Sequence, residues 1–386
     1  MSGGTPARRL SDQDLFDWVR LIRSENVGPR GFQALLRRYG GARAALEALP
    51  GLARRVDGKR TLKIADSAAV DAEMSAAAQK GVRFVARCDF DYPPMLARID
   101  DAPPVLAVQG HIAALQEPMI AIVGSRNASA GGLAFADRLA RAFGEAGYVI
   151  VSGLARGIDM RCHVAALANG TVGVLAGGHA RPYPPEAVAL LPKIAEFGAI
   201  VSEMPLDWEP RGQDFPRRNR IVSGLSLATV VVEAARSSGS LITARLAGEQ
   251  NREVFAVPGS PLDPRSEGTI DLLRSGAAIC ARAQDVLDVV DVIRGQRKAS
   301  GLEEERGGPA WPYVSEDAPE EKADGEPSTQ EYREVLALLS PTPVSIDDVV
   351  RATGMRAGAL RALLLDLQLA GKVDFQSGDR IGLKIA

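Results

Sequence analysis

Between residues 118 and 280 the apolar positions gather into seven short runs, each broken by small residues before a stretch with helical spacing begins. The runs lie at 118–126, 148–155, 171–178, 199–203, 228–234, 254–259 and 277–280. Polar residues do not alternate within them, which predicts strands buried on both faces, as in a parallel sheet covered by helices. Helices are expected at 132–146, 159–168, 187–197, 241–251 and 269–275. The alternation predicts an α/β domain with a doubly wound, mostly parallel sheet built from right-handed βαβ units.

The flanks are patterned differently. Leu15, Val19, Leu21 and Ile22 form one helical face, and Phe32, Leu35 and Leu36 form another after a Val27-Gly28-Pro29 turn. This is the pattern of a helix–hairpin–helix or sterile-alpha-motif-like bundle. In DNA-binding hairpins, glycine-rich turns present N–H groups to phosphates. Here Pro29 lacks that donor and Arg30 stands where a second glycine would be, which favours packing over DNA contact. Paired prolines at 93–94 and 103–104 punctuate an extended approach to the sheet edge. Residues 297–330 are acidic, rich in Gly, Pro and Ser, and read as a flexible linker. After them come helices at 332–339, 345–353 and 357–370, then a hairpin around Gly378-Asp379: three helices and a hairpin predict a winged helix. The expected domains are therefore 1–80 (helical), 81–296 (sheet), 297–330 (linker) and 331–386 (winged helix).

The chain of 386 residues carries a net charge of −2, with 46% hydrophobic and 24% charged residues, the balance of an ordinary soluble protein. No run approaches the roughly 18 apolar residues of a membrane span, and residues 1–9 lack the apolar core of a secretory signal. Cys88, Cys162 and Cys280 have no metal-ligand or redox spacing. The charge is unevenly spread: residues 303–326 hold nine acidic and two basic side chains, which leaves the remainder at +5. Residues 1–80 alone carry fourteen basic against nine acidic groups, permitting contact with a polyanion. The winged-helix segment is balanced, seven against seven, so protein docking competes there with duplex reading.

Turns at the carboxyl ends of parallel strands collect N–H groups that suit phosphate. Gly124, Ser125 and Arg126 follow the first run and offer close approach, a hydroxyl and a guanidinium fork. Arg217, Arg218, Asn219 and Arg220 form a second basic element, anchored by Phe215 and Pro216. If that element is helical, Arg217 and Arg220 share a face and Arg218 diverges. Either they meet phosphate, or they pair internally with Glu203 or Glu233. Ser238, Gly239 and Ser240 at the start of another helix can cap it or hold an anion. Asp159 and His163, four residues apart, have no further ligands nearby, so neither a metal site nor a catalytic set is expected. No dinucleotide fingerprint or P-loop occurs.

Taken in order, Tyr92-Pro-Pro-Met-Leu, Ala102-Pro-Pro-Val-Leu, Val123-Gly-Ser-Arg, Ser152-Gly-Leu-Ala-x-Gly-Ile-Asp159, His163, Tyr183-Pro184, Ser202-Glu203, Phe215-Pro-x-Arg-Asn-Arg220, Ser238-Gly-Ser-Leu-Ile-Thr243 and Val257-Pro-Gly259 resemble the DNA-processing protein DprA (Smf) family. The resemblance implies an extended Rossmann-like domain that dimerises, in a cytoplasmic protein that binds single-stranded DNA and helps load the RecA recombinase during natural transformation. It implies no enzymatic activity and no cofactor. The pocket it implies comprises Gly124, Ser125, Arg126, Ser152, Gly153, Arg218, Asn219 and Arg220, with Ser238, Gly239 and Ser240 beside it. After Tyr-Pro the family commonly has a basic residue and an Asn. Here Pro185-Glu186-Ala187 stand instead, and Lys193 or the basic N-terminal segment would have to compensate. The competing reading is a nucleotide-processing, phosphoribohydrolase-like enzyme, whose Pro-Gly-Gly-x-Gly-Thr-x-x-Glu signature is missing from the chain. A third, a transcription regulator, would act through sequence-specific duplex binding by the winged helix.

Overall fold

In the computed structural model, residues 9–56, 62–299, 327–376 and 379–384 are described. Helices α1 (Asp12–Ile22), α2 (Pro29–Tyr39), α3 (Ala42–Val56) and α4 (Ser67–Gln79) come first. Strands β1 (Val82–Ala86) and β2 (Val105–Gly110) follow. Then β3 (Met119–Val123), α5 (Ala130–Glu145), β4 (Val149–Ser152), α6 (Ile158–Ala166), β5 (Thr171–Val174), α7 (Leu191–Phe197) and β6 (Ala199–Ser202) alternate. The alternation continues through α8 (Asp214–Leu225), β7 (Ala228–Val231), α9 (Gly239–Glu249), β8 (Glu253–Ala256), α10 (Glu267–Arg274), β9 (Ala278–Ile279) and α11 (Ala283–Ala299). The C-terminal elements are α12 (Thr329–Leu338), β10 (Val344–Ser345), α13 (Ile346–Thr353), α14 (Ala357–Leu369), β11 (Val373–Gln376) and β12 (Arg380–Leu383).

Two compact units result. Among the described residues, the first contains 73–299 and the second joins those of 10–72 to those of 327–384. In the first, nine strands lie in the order β1-β2-β6-β5-β4-β3-β7-β8-β9. β3 to β9 run parallel, and β2 joins β6 antiparallel with β1 beyond it. The unbroken apolar runs have a direct physical origin. On β3, Ile120 and Ile122 face a core shared with Leu139 and Phe143 of α5, Ile158 and Val290, while Ala121 and Val123 face a second core with Ile221, Val222 and Leu225 of α8. Side chains alternate, yet both faces are dry. The proline-rich approach at 87–104 is held by buried polar contacts: Arg87 donates to the carbonyls of Ala97 and Ile99, and the Tyr92 hydroxyl to that of Pro103 at 2.7 Å.

The structure moves one helix boundary, meets the helical condition set for the basic segment, and adds one helix. Helix α7 begins at Leu191 rather than 187, because Pro192 fits only a first helical turn, and residues 185–187 form a separate 3₁₀ turn. α8 is a full helix rather than a conditional one, and α11 was not expected at all. Its pattern, with Val286 and Val290 buried against the sheet, lies beside an acidic stretch that obscures it. Most of the linker, residues 300–326, lies outside the described residues.

The second unit contains α1–α3 and the winged helix. α2 starts at Pro29 in its first turn, where the missing N–H has no intrahelical use, and ends on Gly40 in the left-handed region. In the winged helix, a capping box of Ser328 and Glu331 starts α12, and Ser345 caps α13. The three strands are ordered β10-β12-β11. No described helix is long and apolar enough to cross a membrane.

The antiparallel joint between β2 and β6 turns on Gly110, at φ +100°, where a Cβ would lie 2.5 Å from the Gly198 carbonyl oxygen. Gly110→Ala adds both left-handed strain and a backbone clash, and should cost about 2–4 kcal/mol. The midpoint of urea unfolding measures it; an unchanged midpoint would show that the joint relaxes freely.

Candidate nucleic-acid interface

The strand order reverses between β3 and β7, since β4 to β6 lie on one side of β3 and β7 to β9 on the other, so the sheet opens a crevice at their carboxyl ends. Gly124, Ser125 and Arg126 emerge from β3 there. A Cβ on Gly124 would lie 2.7 Å from Ile158 Cγ1, so only glycine lets this turn close on α6. The Ser125 hydroxyl accepts from the Asn127 N–H at 3.1 Å and shapes the turn. The N-terminus of α5, expected to suit an anion, already has one. Glu233, at the end of β7, accepts from the Ser129 N–H at 2.9 Å and from its hydroxyl at 2.5 Å. The carboxylate fits because residue 132 is glycine, whose Cβ would lie 2.5 Å from Glu233 Oε1.

The basic helix divides by face, with Arg217 and Arg220 on one side and Arg218 on the other. Arg218 and Arg220 are buried, at 7% and 6% exposure, so of the two arrangements the sequence left open these two arginines take the internal one. Arg220 pairs with the buried Glu203 and, at 3.5 Å, with Asp101. Its Nη1 has no hydrogen-bond partner among the described residues. Arg217 reaches the other oxygen of Glu203 at 3.1 Å. Arg218 runs under the β4 turn and donates to the carbonyls of Gly153 and Val174. A Cβ on Gly153 would meet Arg218 Nη2 at 2.5 Å and Asp159 Oδ2 at 2.9 Å. Burial lowers the Arg218 pKa to about 10, with Asp159 opposing the shift and Arg126 adding to it. Burial likewise raises Asp159 to about 6, against the pull of Arg218 and the N–H groups of Ala155 and Gly153. The Asn219 amide donates to the Gly239 carbonyl at 3.2 Å. Ser152 is fully buried, its hydroxyl bonded to the Ile122 carbonyl at 2.6 Å. Ser238 caps α9, with its hydroxyl 2.7 Å from that of Ser240.

What remains turned outward is Arg126. It is exposed, has no ion pair among the described residues, and sits 5.7 Å from the centroid of the Phe215 ring. Tyr183, 49% exposed, packs edge-on against the same ring at 5.5 Å. Beyond β6 a second exposed arginine, Arg211, lies over Trp208 at 4.8 Å. Glu186, which departs from the family pattern, faces Arg156 at 3.9 Å on the same rim. The crevice therefore has a neutralised, rigid floor and a cationic, aromatic rim. Among the described residues no cluster of three or more His, Cys, Asp or Glu side chains is arranged to hold a metal ion.

Residues 83–291 match the family description "DNA recombination-mediator protein A", 12–76 a DprA-like N-terminal domain and 319–379 a DprA winged-helix domain. Protein Smf of Escherichia coli is 38% identical over 304 residues, 76% of each chain. The chain belongs to the DNA recombination-mediator protein A family. Among solved structures, DNA processing protein A from Streptococcus pneumoniae aligns with a TM-score of 0.60 at 33% identity, covering 73% of this chain and 98% of that one. DNA processing protein A from Helicobacter pylori, a structure described for its single-stranded DNA binding mode, aligns with a TM-score of 0.50 at 29% identity, covering 54% of this chain and 95% of that one.

Sequence reasoning assigned Tyr183, Phe215 and Trp208 no place at the rim, and Glu233, named only as a partner for the arginines, instead holds the start of α5. Phe215 and Tyr183 stood inside the quoted motifs, but Phe215 beside Pro216 reads as an anchor for the basic segment. Only the fold brings the two rings under Arg126.

Two stability measurements separate floor from rim. Arg220→Ala leaves the Glu203 side chain buried without its nearest cation and should cost about 3 kcal/mol, whereas Arg126→Ala should change stability by less than about 0.5 kcal/mol. Equal losses would contradict the division. His163 is fully buried, its Nδ1 2.7 Å from the Thr171 hydroxyl, which itself donates to the Ile150 carbonyl, so Nδ1 carries the proton. Burial first, then Arg218, lowers its pKa to about 3. The unfolded chain therefore binds one proton more than the folded one below about pH 6.5, and stability is lost as pH falls through that window toward 3. Asp159, with its raised pKa, works in the opposite direction between about 4 and 6. His163→Asn keeps the donor and should reduce the acid slope by about 1.4 kcal/mol per pH unit. An unaltered slope in denaturant titrations from pH 7 to 4 would refute the assignment.

Proposed function

We infer that the protein is a non-enzymatic, single-stranded DNA-binding recombination mediator whose cleft at the carboxyl ends of the sheet takes consecutive phosphates. The observation that carries this reading is Arg126, exposed and without a counter-ion among the described residues, on an aromatic platform at the strand-order reversal. Cation and ring side by side suit a backbone phosphate and an unstacked base together. Gly124, Ser125 and Gly239 line the turns that receive the chain. Ser152, Gly153, Arg218, Asn219 and Arg220 act through the floor, holding those turns in register, and Ser238 and Ser240 fix the start of α9. Arg211 on Trp208 extends the path toward β6.

The family's description as a recombination mediator supports loading of RecA onto the bound strand as the biological step. A homodimer through the sheet domain is supported by its open edge, where β9 is exposed and Ile279 is 53% accessible. Two protomers would offer two clefts for one strand.

Fluorescence anisotropy of a labelled oligo-dT across a salt series tests the site. Arg126→Ala should weaken binding and flatten the salt slope by about 0.7, one phosphate contact on a single strand. Tyr183→Ala should cost about 1–3 kcal/mol with the slope unchanged, as loss of a stacked base does. Wild-type affinity and slope in both variants would remove the rim from the site.

A further inference from the structure

The winged helix contains a helix–turn–helix, in which α13 and α14 are joined by Gly354, Met355 and Arg356. In duplex readers of this plan the second helix enters the major groove, its outward face carrying Arg, Lys, Asn or Gln aimed at base edges. In α14, Leu360, Leu363, Leu364 and Leu367 fill the core of the winged helix. The other side carries Ala362, Leu365, Asp366 and Leu369. The last three are buried at 3%, 0% and 0% exposure although they lie outside that core. This outward face has no cation, and Arg361, at its margin, is paired with Asp379 at 3.0 Å.

What covers the face is the N-terminal bundle. The Asn26 amide, just ahead of α2, donates to the Leu369 carbonyl at 2.9 Å. Gly31 brings α2 close enough that a Cβ would lie 3.4 Å from Gln368 Oε1 and 3.8 Å from Leu365 Cδ1. Arg38, at the end of α2, donates to Asp366 Oδ1 at 2.9 Å, while the Tyr332 hydroxyl of α12 donates to Oδ2 at 2.6 Å. Asp366 is thus a fully buried carboxylate clasped from both ends of the chain, 328 residues from its charge partner. A buried charge of this kind is costly unless both partners are present, so the contact specifies one docking geometry.

We propose that the outward face of α14 is a protein-docking face, occupied by the chain's own α2, which closes this winged helix to duplex DNA and makes the two ends of the chain one folding unit. The composition fits that occupant and no duplex: leucines and one carboxylate meet a glycine, an asparagine and an arginine.

Hydrogen exchange of the full-length protein, read by mass spectrometry with and without a DNA duplex, tests this. In the wild type, residues 360–369 and 29–39 should be protected together, and the duplex should leave both segments unchanged. Arg38→Glu removes the charge match, and Gly31→Trp wedges the helices apart while leaving Arg38 and Asp366 in place. Each should speed exchange in both segments by at least about tenfold, with 119–123 in the sheet unaffected. The proposal is overturned if the duplex alters protection at 360–369, or if both variants leave that segment's exchange as in the wild type.

Discussion

The cleft depends on one buried ion pair, Arg220 with Glu203. Glu203 follows β6 and Arg220 stands in the middle of α8, so the pair fixes the helix over the carboxyl ends of the strands that its apolar face covers. Ile221, Val222 and Leu225 supply burial without a direction. The ion pair, together with Arg218 reaching the carbonyls of Gly153 and Val174, sets the rotation of α8. That rotation puts Phe215 at the mouth of the crevice, where Arg126 and Tyr183 meet it. Ligand-facing chemistry at the rim thus rests on charges that no ligand needs to touch.

This division explains how a strongly basic motif can contribute little free charge. Glu203 and Asp101 oppose Arg217 and Arg220, and Asp159 opposes Arg218. Glu233 neutralises the start of α5. A phosphate approaching the crevice meets one arginine that has no counter-ion among the described residues, backed by a ring at the reversal point, and a second arginine on Trp208. Few, positioned cations favour a flexible single strand that can bring its phosphates and bases to them.

Much of the architecture was legible in the chain. Unbroken apolar runs separated by helical spacing indicate a parallel sheet because both faces are covered, and Ile120 to Val123 feed two cores in alternation. The helical spacing of Arg217, Arg218 and Arg220 indicated which side chain would diverge. It did not indicate which face would be buried, because that is decided by Glu203, Gly153 and Val174, whose positions only the strand order sets. The meeting of Arg126, Tyr183 and Phe215 and the plugging of α5 by Glu233 were illegible for the same reason: each joins residues more than thirty positions apart. The winged helix was legible as a fold, and its balanced charge raised the question of docking. The answer lay in Gly31 and Arg38, at the other end of the chain.

The most direct test of the account is photo-crosslinking of an oligo-dT containing 5-iodouracil to the full-length protein, with the attachment sites mapped by mass spectrometry. Attachment is expected at Tyr183 or Phe215, at the mouth of the crevice. Attachment confined to the winged helix or to α1–α3, with none in the sheet domain, would contradict it.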